Sequence, residues 1–364
     1  MTTRYTIGID ASRSTIEQPT GTELYSRLLI DALLEQAAAN YKFRLYFNQP
    51  PRTFTGRQNS EARIMPLLRL WTQGRLSLEM TLHPPSVLFV PAHVLPVIQP
   101  RRSVVTVHDL GYLYFPETHP LAQRLYLDIT TRWHTRSATH VLADSEATKR
   151  DLMSRYGARP DRITVAYPGL DPKVKRVNDP AEIARVKAKY GLEGAYVLYL
   201  GTLQPRKNVL RLIKAYRQTG STWQLVLAGK RGWYYEQLIK EAGSGVRFIG
   251  YVDEADKAAL LSGAKAFAFP SLYEGFGFPI LEAMACGVPV LCSNTSSLPE
   301  VAGEAALLVD PLNIEEIAGG LRRITLDNDL RQTLIECGYQ QAQRFTWSAC
   351  AAGVLSVFEK ILTR

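Results

Sequence analysis

Cysteine is scarce in this chain of 364 residues. Cys286, Cys292, Cys337 and Cys350 form no C-x-x-C pair, and all lie in the last quarter. That spacing argues against a disulfide framework or a zinc site and fits a reducing compartment. No apolar run is long enough to span a bilayer. The opening MTTRYTIGID lacks a basic segment followed by a long apolar stretch, so no signal peptide is expected. No G-x-G-x-x-G follows the first strand-like run, which disfavours a dinucleotide-dependent oxidoreductase. There is no arginine-rich tail, zinc-finger spacing or RNA-binding signature, so nucleic acid is not an expected partner.

What is present is an ordinary soluble composition, 46% hydrophobic, at a length that suits two domains. The formal charge is +9, larger in the first half, which also holds all six histidines. A basic surface favours anionic partners such as phosphates or anionic lipid.

Short apolar runs alternate with longer helix-like stretches. Strands are predicted at Tyr5–Ile9, Phe43–Phe47, Val87–Val90, Val104–Val107, Val141–Ala143 and Ile163–Ala166. Helices are predicted at Thr22–Ala38, Ala122–Arg136 and Ala147–Tyr156. Several of these strands are apolar on both faces, as in a covered parallel sheet. The linker GLDPKVKRVNDP (Gly169–Pro180) follows, rich in Pro, Asp and Lys. The alternation then restarts at Tyr196–Leu200, Gln224–Ala228, Val246–Ile249, Ala266–Phe269, Val288–Cys292 and Ala306–Val309. The pattern reads as two α/β domains, each a doubly wound parallel sheet, facing each other across a cleft. Residues 1–170 form the first domain and 171–345 the second. A closing helix, 346–364, returns to the first. Ligands of such sheets bind beyond the carboxyl ends of the strands.

The stretch SLYEGFGFPILEAMACGVPV (Ser271–Val290) sits at such an end. Pro279 suits the first turn of a short helix, Phe278–Cys286, and Gly287 suits the position just past it. The free N–H groups of a helix start hold phosphate oxygens. Gly275 and Gly277 let backbone approach a ligand without a Cβ in the way. Glu282, about one turn into the helix, suits the vicinal hydroxyls of a ribose, and Glu274 suits a sugar hydroxyl. Each carboxylate also has a plainer reading, Glu282 as a partner of the helix dipole and Glu274 as a loop cap.

PSLYEGFGFPILEAMACGVPVLCSNTSSLPEVAG closely resembles the donor-site signature of glycosyltransferase family 4, retaining enzymes of the GT-B fold. The Glu-x7-Glu spacing matches, as does GVPV followed by PEV. YLGTLQPRKNVLRLIKAY, LVLAGKRGWYYE, RFIGYVDEADKAALLSGAKAFAFP, TVHDLGYLYFPE and ADSEATK extend the likeness over most of the chain.

The resemblance implies a nucleotide-diphosphate sugar lying mainly on the second domain. Glu282 would hold the ribose and Glu274 the donor sugar, with Phe276, Gly277 and Phe278 as backbone donors. Lys207 matches the lysine that neutralises the diphosphate. The position after Gly201, often arginine in the family, is Thr202 here, and Arg206 is the candidate to supply that charge. Lys230 is a further candidate for the same cluster. The loop Gly250–Glu254, with Val252, would meet the base through backbone groups. His108 would lie near the anomeric carbon, oriented by Asp109, and Gly21 near the diphosphate. Departing diphosphate gains negative charge at the transition state, which fixed cations stabilise. The catalytic set is therefore His108, Glu274, Arg206 and Lys207, with no metal expected.

GKRGWYYE and EGFGFPILEAMACG resemble mannosyltransferase-like members that build bacterial polysaccharides. This implies GDP-mannose as donor and a glycan or lipid-linked acceptor. The alternatives are a UDP-sugar donor of glucose or galactose, a nucleotide-sugar epimerase of the same architecture, or a non-catalytic nucleotide-sugar-binding subunit. A cytoplasmic enzyme is expected. Its segment Arg63–Pro84, where Leu, Trp71 and Met alternate with Arg63, Arg69 and Arg75, reads either as a core helix with solvated arginines or as a surface for anionic membrane.

Overall fold

The computed structural model describes residues 5–16, 21–38, 40–51, 54, 59–67, 70–92, 94–232 and 235–363. By its contacts the chain divides into two units. The first comprises residues 1–113, 121–169 and 345–364; the second comprises 114–120 and 170–344.

The first unit is built on seven strands: β1 (Tyr5–Asp10), β2 (Tyr41–Phe47), β3 (Ser60–Ile64), β4 (Val87–Val90), β5 (Ser103–Val107), β6 (His140–Ala143) and β7 (Ile163–Val165). They pair in parallel, in the order β3-β2-β1-β4-β5-β6-β7. The central strands are apolar on both faces because helices cover both: Ile7, Ile9, Phe89 and Val105 are fully buried. Strand β3 has no counterpart in the sequence reading. Its SEARI sequence is polar because it is an edge strand, half exposed along its length.

The second unit repeats the plan with β8 (Tyr196–Leu200), β9 (Gln224–Ala228), β10 (Val246–Gly250), β11 (Ala266–Phe269), β12 (Val290–Ser293) and β13 (Ala306–Val309). Their order is β10-β9-β8-β11-β12-β13, again parallel. Strand β12 begins two residues later than the apolar run suggests. Gly287 takes a left-handed φ of 69° and the Val288 N–H returns to the Ala283 carbonyl, so both residues finish the preceding helix.

Two segments cross the linear division of the chain. The closing helix Trp347–Leu362 belongs to the first unit, where it packs along helix Gly21–Gln36. Thr346 caps it, its hydroxyl accepting the Ala349 N–H. Trp347 meets Tyr25 edge-on at 5.6 Å, Phe358 meets Phe89 at 5.6 Å, and the Arg102 guanidinium donates to the Ile361 carbonyl. The composition of 328–362 is apolar enough to cross a membrane, but half of the window is buried, and two separate helices, Asn328–Gln343 and Trp347–Leu362, make it up. Conversely, the short segment 114–120, read from the sequence as part of the first domain, groups with the second unit. There the Tyr114 ring stacks on Tyr273 at 4.7 Å.

Phe358 is fully buried. Phe358→Ala should therefore cost about 3–5 kcal/mol of stability, measured by urea unfolding. A loss below about 1 kcal/mol would show that the closing helix adds little to the first unit.

Candidate active site

In sheets of this strand order, ligands gather where the winding reverses. In the second unit that point lies between β8 and β11, which are adjacent and parallel. The loop after β8 carries Arg206 and Lys207 on one tight 3-10 turn, Pro205–Lys207. The loop after β11 carries Glu274. Topology alone thus brings together groups 67 and 68 residues apart in sequence.

Lys207 Nζ lies 2.5 Å from Glu274 Oε1, and Arg206 Nη1 lies 3.1 Å from Oε2. Arg206 also donates to the Tyr273 carbonyl at 2.9 Å, and the Ser271 hydroxyl donates to Oε1 at 2.6 Å. Glu274 and Lys207 are both buried. Burial by itself would raise the Glu274 pKa, but Lys207, Arg206 and the Ser271 hydroxyl outweigh it and hold the carboxyl below its ordinary value. The cluster is a fixed carboxylate with one net positive charge around it.

The backbone of this loop is pinned from the serines after β12. The Glu274 N–H donates to Ser296 Oγ, while Ser296 and Ser297 hydroxyls donate to the Glu274 carbonyl and Ser297 also reaches the Phe276 carbonyl. Gly275 and Phe276 are buried, and Phe276 packs edge-on against Phe278 at 5.1 Å. Gly277, at φ 118°, turns the chain into helix Phe278–Ala285 with Pro279 in its first turn. A Cβ on Gly277 would meet Leu298 at 2.7 Å, so no other residue fits there without a shift.

Glu282 lies in that helix, buried, with Oε1 2.7 Å from Lys257 Nζ. Lys257 also pairs with Glu254 at 2.8 Å. Burial raises the Glu282 pKa despite Lys257, helped by the nearby Glu254 and Asp171 carboxylates. Lys257 was not singled out in the sequence, where it looks like one more lysine on an amphipathic helix.

The remaining positions lie as follows. Gly201 and Thr202 follow β8, where Gly229 crosses so closely that a Cβ on it would lie 2.0 Å from the Gly201 carbonyl oxygen. Lys230 is exposed, with its ammonium 5.3 Å from the Tyr251 ring centre and no ion pair to the Glu274 cluster. Val252 is buried after β10. Trp233 and Tyr234 of the GKRGWYYE motif, and Arg69, lie outside the described residues.

In the first unit Gly21 is the exposed first residue of its helix. His108 follows β5, and Asp144 follows β6, the next strand in register. His108 Nδ1 lies 2.7 Å from Asp144 Oδ2. The expectation that Asp109 orients His108 is corrected here: Asp109 Oδ1 accepts the Gly111 N–H at 2.8 Å and closes its own turn, while Asp144 holds the imidazole. Tyr25 packs edge-on against the ring at 4.7 Å. Burial alone would lower the His108 pKa, but the Asp144 carboxylate reverses this and raises it. The Pro91 carbonyl also favours the charged ring.

Residues 29–174 match the family described as Glycosyltransferase Family 4, and residues 182–341 match Glycosyl transferases group 1. The chain is 36% identical over 270 residues to O-antigen chain mannosyltransferase B of Escherichia coli, covering 71% of this chain and 70% of that one. The chain belongs to glycosyltransferase family 4. It is also 28% identical over 278 residues to the serotype-specific mannosyltransferase WbdA of Escherichia coli, but spans about a third of that protein's length (72% of this chain, 34% of WbdA). Its fold is that of GT-B glycosyltransferases. The Anabaena protein Alr3699/HepE, solved in complex with UDP-glucose, superposes with a TM-score of 0.74 at 20% identity, over 98% of this glycosyltransferase and 99% of that chain.

The lowered Glu274 pKa makes a stability prediction. A carboxylate whose folded pKa lies below its unfolded one stabilises the protein above the ordinary carboxylate range. That contribution is lost as pH falls through the lowered folded value. Glu274→Gln should cost about 1.5–3 kcal/mol at neutral pH, the range for hydrogen bonds to charged groups. The gap between variant and wild type should close on acidification below the ordinary carboxylate range. Urea melts across pH check this, and a gap independent of pH would contradict the charged pairing.

Proposed function

We propose that this enzyme transfers mannose from GDP-mannose to a hydroxyl of a growing glycan in polysaccharide synthesis, with retention of anomeric configuration. The reading rests on one observation above the rest: the Arg206–Lys207–Glu274 cluster beside the start of helix Phe278–Ala285. Names of the relatives support the sugar, and the pairing of Alr3699/HepE with UDP-glucose supports a nucleotide-sugar donor.

The chemistry asks for two things, a place for the pyrophosphate and a counter-charge as it departs. Helix N–H groups at Gly277–Phe278 suit the first. Arg206 and Lys207 suit the second: held in place by Glu274, they need no reorganisation when the phosphate oxygens gain charge. Because two cations take that charge, we propose that no metal ion is required. Glu274, anchored at Ser271, offers its carboxylate to a hexose hydroxyl. Glu282, held by Lys257, does the same for a ribose. His108, whose pKa the Asp144 carboxylate raises, is proposed as a donor to the transferred sugar. The departing phosphate would itself take the acceptor proton, a reading supported by Glu274 being already engaged by Lys207, Arg206 and Ser271.

The enzyme is proposed to work at the cytoplasmic face of an anionic membrane. Among its described residues, Arg63–Pro84 runs from the end of strand β3 through a π-helical turn, Trp71–Leu76, to helix Ser77–Leu82, not one core helix. Its inner face, Trp71, Leu76 and Met80, is core. Its outer face leaves Leu70, Leu78 and Leu82 at least half exposed. Beside them Lys42, Arg44, Arg63 and Arg75 outnumber the carboxylates Glu61 and Glu79 with which they pair. Exposed apolar side chains and an excess of cations in one region complement an anionic bilayer.

Lys207→Ala should lower kcat by about 10²–10³-fold, as loss of a charge-stabilising group does, while chelator leaves wild-type turnover unchanged. In a thermal-shift panel, GDP and GDP-mannose should raise the melting temperature more than UDP or ADP compounds do. Turnover of Lys207→Ala within a few-fold of wild type, or selective stabilisation by UDP, would overturn the corresponding assignment. Sedimentation with vesicles should show binding to phosphatidylglycerol at low salt, lost in Leu70→Ser/Leu82→Ser; binding to neutral vesicles alone would reject the electrostatic component.

A further inference from the structure

The second unit holds a cavity of about 340 Å3 behind the turn that carries Arg206 and Lys207. Phe115, Leu238 and Leu272 give it apolar walls, and Glu117, Arg211 and Gln237 bring a carboxylate, a guanidinium and an amide to it. Contacts within the unit hold its walls. On one side the segment 114–120 is held by the Tyr114–Tyr273 stack and by the buried Thr118, whose hydroxyl donates to the Phe115 carbonyl at 2.7 Å. On the other, Arg211 donates to the buried Asn208 at 3.0 Å, and the Asn208 amide is itself tied to the Pro270 and Pro311 carbonyls. The Leu272 N–H donates to the Arg206 carbonyl at 2.8 Å, so one wall is continuous with the backbone of the charged cluster.

We propose that this cavity is a saccharide subsite that takes a sugar unit of the acceptor chain. It rests on the glycosyl-transfer reading above. A pyranose has an apolar C–H face and a rim of hydroxyls that both donate and accept. Phe115 and the leucines match the face; the Glu117 carboxylate, Arg211 guanidinium and Gln237 amide match the rim. The volume lies near the small end of the range for ligand pockets, about 300–1,000 Å3, which suits a short saccharide better than a whole nucleotide sugar. A single guanidinium beside a carboxylate is also poor company for a diphosphate. Anchoring the acceptor here would make longer acceptors bind better than short ones.

The test titrates linear mannotetraose into the full-length protein, followed by saturation-transfer NMR, with Phe115→Ala and Gln237→Ala alongside. Wild type should bind, and each variant should weaken binding about tenfold, the effect of losing about 1.4 kcal/mol. Stabilisation by GDP in the thermal-shift assay should be unchanged in both. Gln237 is exposed, so its variant keeps the test alive if Phe115→Ala is unstable. Equal binding by wild type and variants would overturn the subsite, as would displacement of the tetrasaccharide by GDP. Absence of mannotetraose binding while GDP still stabilises would sink the subsite and leave glycosyl transfer standing. Failure of both ligands would remove the two together.

Discussion

A buried carboxylate does not persist unless something neutralises it, and Glu274 is neutralised twice. Much of the second unit's loop structure follows from that requirement. Lys207 and Arg206 must come from one tight turn, so Pro205 opens a 3-10 helix and Asn208, at a left-handed φ of 60°, ends it. Asn208 in turn ties that turn to the loops after β11 and β13 through Pro270 and Pro311. Ser296 and Ser297 then hold the carboxylate's own backbone, and Ser271 holds its Oε1. Removing any of these polar groups would leave a buried charge or carbonyl short of partners.

In the proposed transfer, charge at this site would act in catalysis as well as in structural support. Stabilisation that acts equally on bound donor and transition state does not speed the chemical step. Under the proposed function, cations already oriented by Glu274 would meet a pyrophosphate whose charge grows as the sugar leaves, so their interaction would strengthen along the reaction. The first unit solves a related problem differently. Its strand ends bring His108 against Asp144, and burial that would discharge an isolated imidazole is overcome by a neighbouring anion.

Much of the fold was legible because buried parallel strands carry a strong signal. Four of the six strands expected in the second half fall on their residues; β10 runs one residue further, and β12 begins two residues later and ends one later. Edge strand β3 was invisible for the converse reason: SEARI has no apolar pattern, since an edge strand half in water needs none. The segment 114–120 was also illegible, because nothing in FPETHP announces which unit it will pack on. For the charged cluster, the resemblance singled out Glu274, Arg206 and Lys207, and their mutual contact then follows from strand order. The partners Asp144, Lys257, Ser296 and Ser297 lay in quoted motifs but carried no mark. A single Asp or Lys acquires meaning only from what the fold sets opposite it, and that is fixed by register between strands, not by spacing along the chain.

Asp109 shows the limit most sharply. Adjacent in sequence, it was the natural partner for His108, yet successive residues leaving a strand point to different sides. A side chain one position on is therefore poorly placed to orient its neighbour, whereas the residue at the same level of the next parallel strand is well placed. β5 and β6 pair Val107 with Ala143, so the next residues, His108 and Asp144, emerge side by side. The short Asp109 side chain turns instead to the Gly111 N–H, a local contact that satisfies both groups. In a doubly wound sheet, the partner of a strand-end residue is to be sought one strand away rather than one residue away.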